Sequence, residues 1–313
     1  MKVVAIGGGT GLSTLLRGLK RFDVDITAVV AVTDEGGSSG ILRKELNVPP
    51  PGDVRNNFVA LSESEELLEK IFNFRFKDGS LKGHTVGNVI LAALTMMTGS
   101  LARAVEVLSE ILAIRGRIYP VSDELVRLVA VMEDGSEIVG EVNITGSGKK
   151  IRGIRLDREV KALPEVVEAA READIVVLGP GSLYTSVIAN LVVDGVPQAI
   201  SSSGAKVVYV ANLMTQPGET DGMKLSDHVR EIEKYLRREV DVVIANSAKP
   251  PKDVLERYEK EGYEMLKLDL DNVDRTVVVN HFASVVIDPF DGREKIRHDP
   301  EKLASAVLKV AGW

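Results

Sequence analysis

The sequence predicts an α/β fold with a mainly parallel sheet, crossover helices and a small antiparallel β insertion. Three observations carry this. Short apolar runs alternate with amphipathic helical stretches, the pattern of parallel strands joined by helices. Several of those runs end in glycine or asparagine, as strands that open onto binding loops do. In the middle of the chain, two alternating apolar runs flank Glu133-Asp134-Gly135-Ser136, a hairpin signal.

The elements follow in order. Val3 to Ile6 reads as a buried strand and Gly11 to Lys20 as a helix. Asp25 to Val32 is a second strand, rich in β-branched residues. His84 to Thr98 reads as a buried helix and Leu101 to Ile114 as an amphipathic one. The insertion spans about 117–160, with strands at Leu125 to Met132, Glu137 to Ile144 and Ile151 to Leu156. Its basic residues, among them Lys149, Lys150, Arg155 and Arg158, read as a solvated face. Strands resume at Asp174 to Leu178, Lys206 to Ala211 and Asp241 to Ala245, with helices at Ser226 to Arg238 and Pro251 to Glu261. Thr276 to Val279 and Ser284 to Ile287 are short strands. Pro300 to Val310 closes the chain as a helix capped by Asp299. No linker or repeat divides residues 1–313, so one domain is expected.

Composition narrows the function. The 313 residues are 44% hydrophobic and 27% charged, ordinary for a globular protein. A net charge of −7 argues against a nucleic-acid partner but permits a local basic pocket. Apolar runs far shorter than the ~20 residues of a membrane helix predict no membrane association and a cytoplasmic location. Without cysteine there is no disulfide or thiolate site, and the four histidines lack zinc spacing.

The chemistry is expected in the loops. Gly7-Gly8-Gly9-Thr10-Gly11 can turn tightly and bring a helix N-terminus to a phosphate. It is not a full dinucleotide fingerprint, because Leu12 stands where the third glycine belongs, and it is not a Walker loop. A plain strand-to-helix turn would also explain it. Thr33 to Gly40 sets Asp34 and Glu35 beside Ser38 and Ser39, either a binding loop or a surface loop with Asp34 as a cap. In Pro49 to Asn57, helix capping would explain Asp53 but not Arg55, Asn56 and Asn57. His84 and Asn88 lie one turn apart and face either these loops or a ligand. Gly179 to Ser186 repeats the glycine-loop logic: its hydroxyls suit phosphate, and Tyr184 could stack on a base. Asn212 to Thr220 offers amides for a base edge.

Together these motifs resemble the 2-phospholactate transferase-like superfamily, and within it the bacterial gluconeogenesis factor branch. The likeness runs nearly the whole chain, to Ile296-Arg297-His298-Asp299. It implies a Rossmann-like core with helices on both faces of the sheet. It implies a nucleotide or nucleotide-sugar ligand, UDP-sugars in the factor branch, and a role there in cell shape on gluconeogenic carbon sources. The transferase branch moves a 2-phospholactyl group from a guanosine diphosphate-linked donor with Mg²⁺. By matching motif, Gly8, Gly9, Thr10, Gly11, Gly181, Ser182, Tyr184 and Thr185 would hold phosphates. Ser38, Ser39 and Asn56 would line the ligand, and Asn212, Thr215 and Gln216 would approach the base or ribose. Arg297 would contact a phosphate or sugar. Asp34 and Asp53 would be the metal-binding or catalytic carboxylates of a transferase. Glu35 departs from the usual Asp, which puts catalysis by that pair in question. The residues alone demand no cofactor and leave a homo-oligomer open. A sensor of nucleotide-sugars is the first reading and a transferase the alternative. The broken fingerprint counts against an NAD-dependent oxidoreductase.

Overall fold

The computed structural model describes residues 1–288 and 292–313. Its centre is a seven-stranded, all-parallel sheet. The strands are β1 (Lys2–Gly7), β2 (Asp25–Val30), β3 (Arg117–Pro120), then, past the insertion, β7 (Ile175–Leu178), β8 (Lys206–Val210), β9 (Val242–Asn246) and β10 (Thr276–Asn280). Between them, β4 (Leu128–Met132), β5 (Glu137–Val139) and β6 (Ile151–Leu156) form a separate antiparallel sheet. A hairpin of β11 (Ala283–Ile287) and β12 (Glu294–His298) follows β10.

The sheet order is β10-β9-β8-β7-β1-β2-β3. The chain therefore runs outward from β1 to β3, returns to β7 at the other side of β1, and runs outward again. That reversal makes β1/β7 the topological switch point, beyond whose carboxyl ends ligands bind in such sheets. The central strands are buried on both faces, so they read in the sequence as continuous Val, Ile and Ala runs.

Seven helices matter below: α1 (Thr10–Leu19), α2 (Gly37–Leu46), α3 (Gly52–Leu61), α4 (Glu65–Phe72), α5 (Val86–Thr98), α6 (Leu101–Leu112) and α7 (Glu141–Thr145). Asp299 caps the closing helix Pro300–Val310 by accepting from the Lys302 N–H at 3.0 Å.

Several expectations need correction. Arg117–Pro120 belongs to the main sheet, where it pairs with β2, so the insertion begins after it. The strand expected over Glu137 to Ile144 stops at Val139: Gly140 takes φ +94° and the chain turns into α7. Helix α5 is not wholly buried, since Met97 is 72% exposed at its end. Asp53 is not a cap but lies in the first turn of α3, whose cap position is Pro51. The loop expected over Thr33 to Gly40 becomes helical from Gly37. The ion pairs Lys149–Asp134 and Arg155–Glu137 place the insertion's basic residues on a solvated face, as expected.

Candidate functional site

The two glycine loops follow β1 and β7 and meet at the switch point. A Cβ on Gly11 would lie 2.3 Å from the Pro180 carbonyl oxygen and 2.9 Å from the Gly181 nitrogen. Gly11 is glycine because one backbone runs directly against the other. Asn57 and Asn190 pin the first loop from below. Asn57 Nδ2 donates to the Gly8 carbonyl at 2.9 Å and Asn190 Nδ2 to the Gly7 carbonyl at 3.0 Å. Neither was singled out from the sequence as structural.

Around this loop the expected residues converge. A Cβ on Gly9 would meet Asp53 Oδ1 at 2.3 Å and Asn56 Nδ2 at 2.6 Å. One on Gly8 would meet Asp53 Oδ2 at 2.8 Å, and one on Gly52 would meet Ser39 Oγ at 2.3 Å and Asp34 Oδ2 at 2.9 Å. Gly8, Gly9, Asp34, Ser39, Asp53 and Asn56 thus form one cluster. The N-termini of α1, α2 and α3 lack side-chain caps, so their first-turn N–H groups remain as donors. Ser38 Oγ lies 3.0 Å from His84 Nδ1, and Asn88 Nδ2 lies 3.5 Å from Ser39 Oγ. The His84/Asn88 face therefore meets the loops.

The electrostatics are those of carboxylates held close together. Burial and the neighbouring Asp34 push Asp53 up to about 7. Glu141, on α7, is pushed up to about 8 by burial and by both aspartates. Its Oε2 accepts from the Glu35 N–H at 3.2 Å, bringing the insertion to the site. No local motif announces Glu141, which the fold delivers from about a hundred residues away. Glu35 itself points elsewhere: Arg127 Nε donates to its Oε1 at 2.7 Å and Arg127 Nη2 to its Oε2 at 3.2 Å. The longer side chain serves this pair instead of joining Asp34 and Asp53. Among the described residues no group of three or more His, Asp or Glu is arranged to hold a metal alone. A hard cation such as Mg²⁺ needs only one or two protein carboxylates when phosphates and water complete its shell. The adjacent carboxyl groups of Asp34 and Asp53, neither in a salt bridge among the described residues, fit that chemistry.

Beside the cluster opens a cleft of about 1340 Å³, lined by Thr10, Arg55, Asn56, Thr85 and, from β12, Arg297. Among its described lining residues, seven basic side chains face three acidic ones. Arg55 donates to Thr85 Oγ1 at 2.8 Å, Asn88 Oδ1 at 3.1 Å and Asn56 Oδ1 at 2.8 Å, while its buried Nε has no partner. Burial lowers its pKa to about 10, and hydroxyl and amide oxygens hold the guanidinium in place.

The second glycine loop is used differently from the expectation. Glu219 ties it to the Asn212–Thr220 loop, accepting from Thr185 Oγ1 at 2.7 Å, the Tyr184 N–H at 3.2 Å and Gln216 Nε2 at 3.1 Å. Burial raises the Glu219 carboxyl pKa. Ser182 Oγ donates to Gln216 Oε1 at 2.6 Å. Tyr184 is 2% exposed, so its ring belongs to the core and offers no face to a base. Thr215 is also buried, with its hydroxyl bonded to the backbone of Glu264. Asn212 keeps a buried Oδ1 without a partner.

The chain is similar to known proteins along nearly its whole length. The family described as 2-phospho-L-lactate transferase CofD matches residues 3–285. A protein from Thermotoga maritima is 57% identical over 100% of both chains. The gluconeogenesis factor of Bacillus subtilis is 42% identical over 99% of this chain and 98% of its own. The crystal structure of a UPF0052 family member from Bacillus halodurans superposes with a TM-score of 0.92 at 46% identity, covering 98% and 99% of the two chains.

Proposed function

The chain belongs to the 2-phospho-L-lactate transferase CofD family and to its gluconeogenesis factor branch, and from that premise we propose that it binds a nucleoside diphosphate sugar, a UDP-sugar first, as a regulatory ligand supporting cell shape on gluconeogenic carbon sources. One observation carries the reading. A basic cleft opens beside a glycine loop and three uncapped helix N-termini, in a chain whose net charge is −7. Helix N-termini and fixed guanidinium groups both favour a diphosphate. In this reading Thr10, Arg55 and Arg297 face the phosphates and sugar.

Asp34 and Asp53 favour a second reading, a phosphoester transferase. There an acceptor hydroxyl oxygen would bond to the phosphorus of a nucleotide-activated donor as the bridging P–O bond breaks. A nucleoside monophosphate would leave, and the hydroxyl proton would pass to a nearby carboxylate. A Mg²⁺ held by Asp34 and Asp53 would neutralise phosphate charge.

Calorimetric titration with UDP-N-acetylglucosamine, GDP and NAD separates the readings. Binding of UDP-N-acetylglucosamine without turnover is expected. Mg²⁺-dependent release of a nucleoside monophosphate that disappears in Asp34→Asn would establish the transferase instead. Absence of any nucleotide binding would overturn both.

A further inference from the structure

Tyr184 is sequestered in the core, whereas the ring of Phe74 lies in the wall of the cleft. Phe58, Phe72 and Phe282 are buried, whereas Phe74 lines the cleft and is 54% exposed. Among the described lining residues it is the one phenyl ring, and its face is open to the cleft. The ring is also held in place. It meets Phe76 edge-on, with centroids 5.5 Å apart at 87°. The Phe74 carbonyl accepts from the Val86 N–H at 3.0 Å, and Phe76 exchanges backbone hydrogen bonds with His84 at 3.0 Å and Gly83 at 2.9 Å. Thr85, on the returning limb, accepts the guanidinium of Arg55 at 2.8 Å. One short hairpin therefore carries an exposed ring and orients a half-buried cation, and both line the same cleft. Arg75 and Lys77, next to the ring, add positive charge.

We infer that Phe74 is the stacking platform for the base of the bound nucleotide, with Arg55 on the phosphate side. This rests on the nucleotide reading of the cleft. A phenyl face stacks on any base, so Phe74 contributes affinity and leaves base choice to other groups.

The test titrates wild type, Phe74→Ala and Phe74→Trp with UDP-N-acetylglucosamine, GDP and inorganic pyrophosphate. Phe74→Ala should weaken both nucleotides about tenfold or more, the scale of losing one base stack. Pyrophosphate affinity should stay within about twofold, and Phe74→Trp should restore nucleotide binding. Unchanged nucleotide affinity in Phe74→Ala would overturn the inference and leave the cleft reading standing. An equal loss of pyrophosphate would also overturn it, by showing that the ring only supports the hairpin. Failure of the wild type to bind any of the three would remove the cleft reading itself.

Discussion

Asp53 shows how a residue that suits a local role in the sequence takes a different place in the structure. The sequence suggested a helix cap, a role that asks nothing unusual of a carboxyl. In the structure its carboxyl end is turned in beside Gly8 and Gly9 and faces Asp34. A carboxyl whose pKa is raised to about 7 binds its proton more tightly in the folded chain than in the unfolded one. Its stabilising contribution is complete below the unfolded pKa near 4 and is lost as pH rises through 7. At pH 8 the ionised group is a liability that Asp34 aggravates. Asp53→Asn keeps the shape and removes the charge, so it should stabilise the ligand-free protein by about 4 kcal/mol at pH 8. That gain should shrink to about a third at pH 5 and vanish only below pH 4. Thermal unfolding at the two pH values decides it: an equal gain at both would mean that charge is not the cause. Glu35 makes the complementary point. Its extra methylene, which put the carboxylate pair in question, reaches Arg127, an arrangement visible only once the insertion is placed against α2.

At the level of elements, legibility followed burial. Strands β1, β2, β7, β8 and β9 were readable because both faces are covered and the sequence shows it as unbroken apolar runs. Helices α2 and α3 were not, because Gly37-Ser38-Ser39-Gly40 and Pro51-Gly52 carry turn propensities that tertiary packing overrides. Membership of the glycine loops in one site was argued from their positions after strands. Their direct contact was not legible, because it depends on β7 returning to the side of β1 across some 170 residues. That contact predicts an asymmetry between glycines. Gly11→Ala gains helix propensity of about 1 kcal/mol but drives a methyl group into the Pro180 carbonyl. Backbone cannot rotate away as a side chain can, so a net loss of about 2 kcal/mol is expected, with weakened nucleotide binding as both loops shift. Gly204→Ala, where the added carbon meets nothing within 4 Å, should be neutral. Denaturation midpoints that moved equally for both substitutions would refute the close approach of the loops.

Across the whole molecule, charge is distributed against its total. A chain of net charge −7 presents a cleft where, among the described lining residues, seven basic side chains face three acidic ones, close to a carboxylate cluster drawn partly from the insertion. The negative exterior repels a diphosphate at long range, and the cleft attracts it once inside. No motif encodes this, since Arg17, Arg55, Lys77 and Arg297 come from four separate parts of the sequence. Overall composition argued against a broad basic face but could not locate a basic hollow. Both fields are screened by salt over about 10 Å at 0.1 M, so their balance sets how binding responds to ionic strength. Charges in a cleft with low-dielectric walls are focused and outweigh the dispersed exterior charge. Affinity for UDP-N-acetylglucosamine should therefore fall several-fold between about 50 and 500 mM NaCl. Arg297→Ala should lower affinity at low salt and flatten that dependence, because it removes one of the charges being screened. Titrations of both proteins across the salt series provide the check. Affinity that rises with salt in the wild type would mean that exterior repulsion dominates and that the diphosphate is held by neutral backbone donors at the glycine loop.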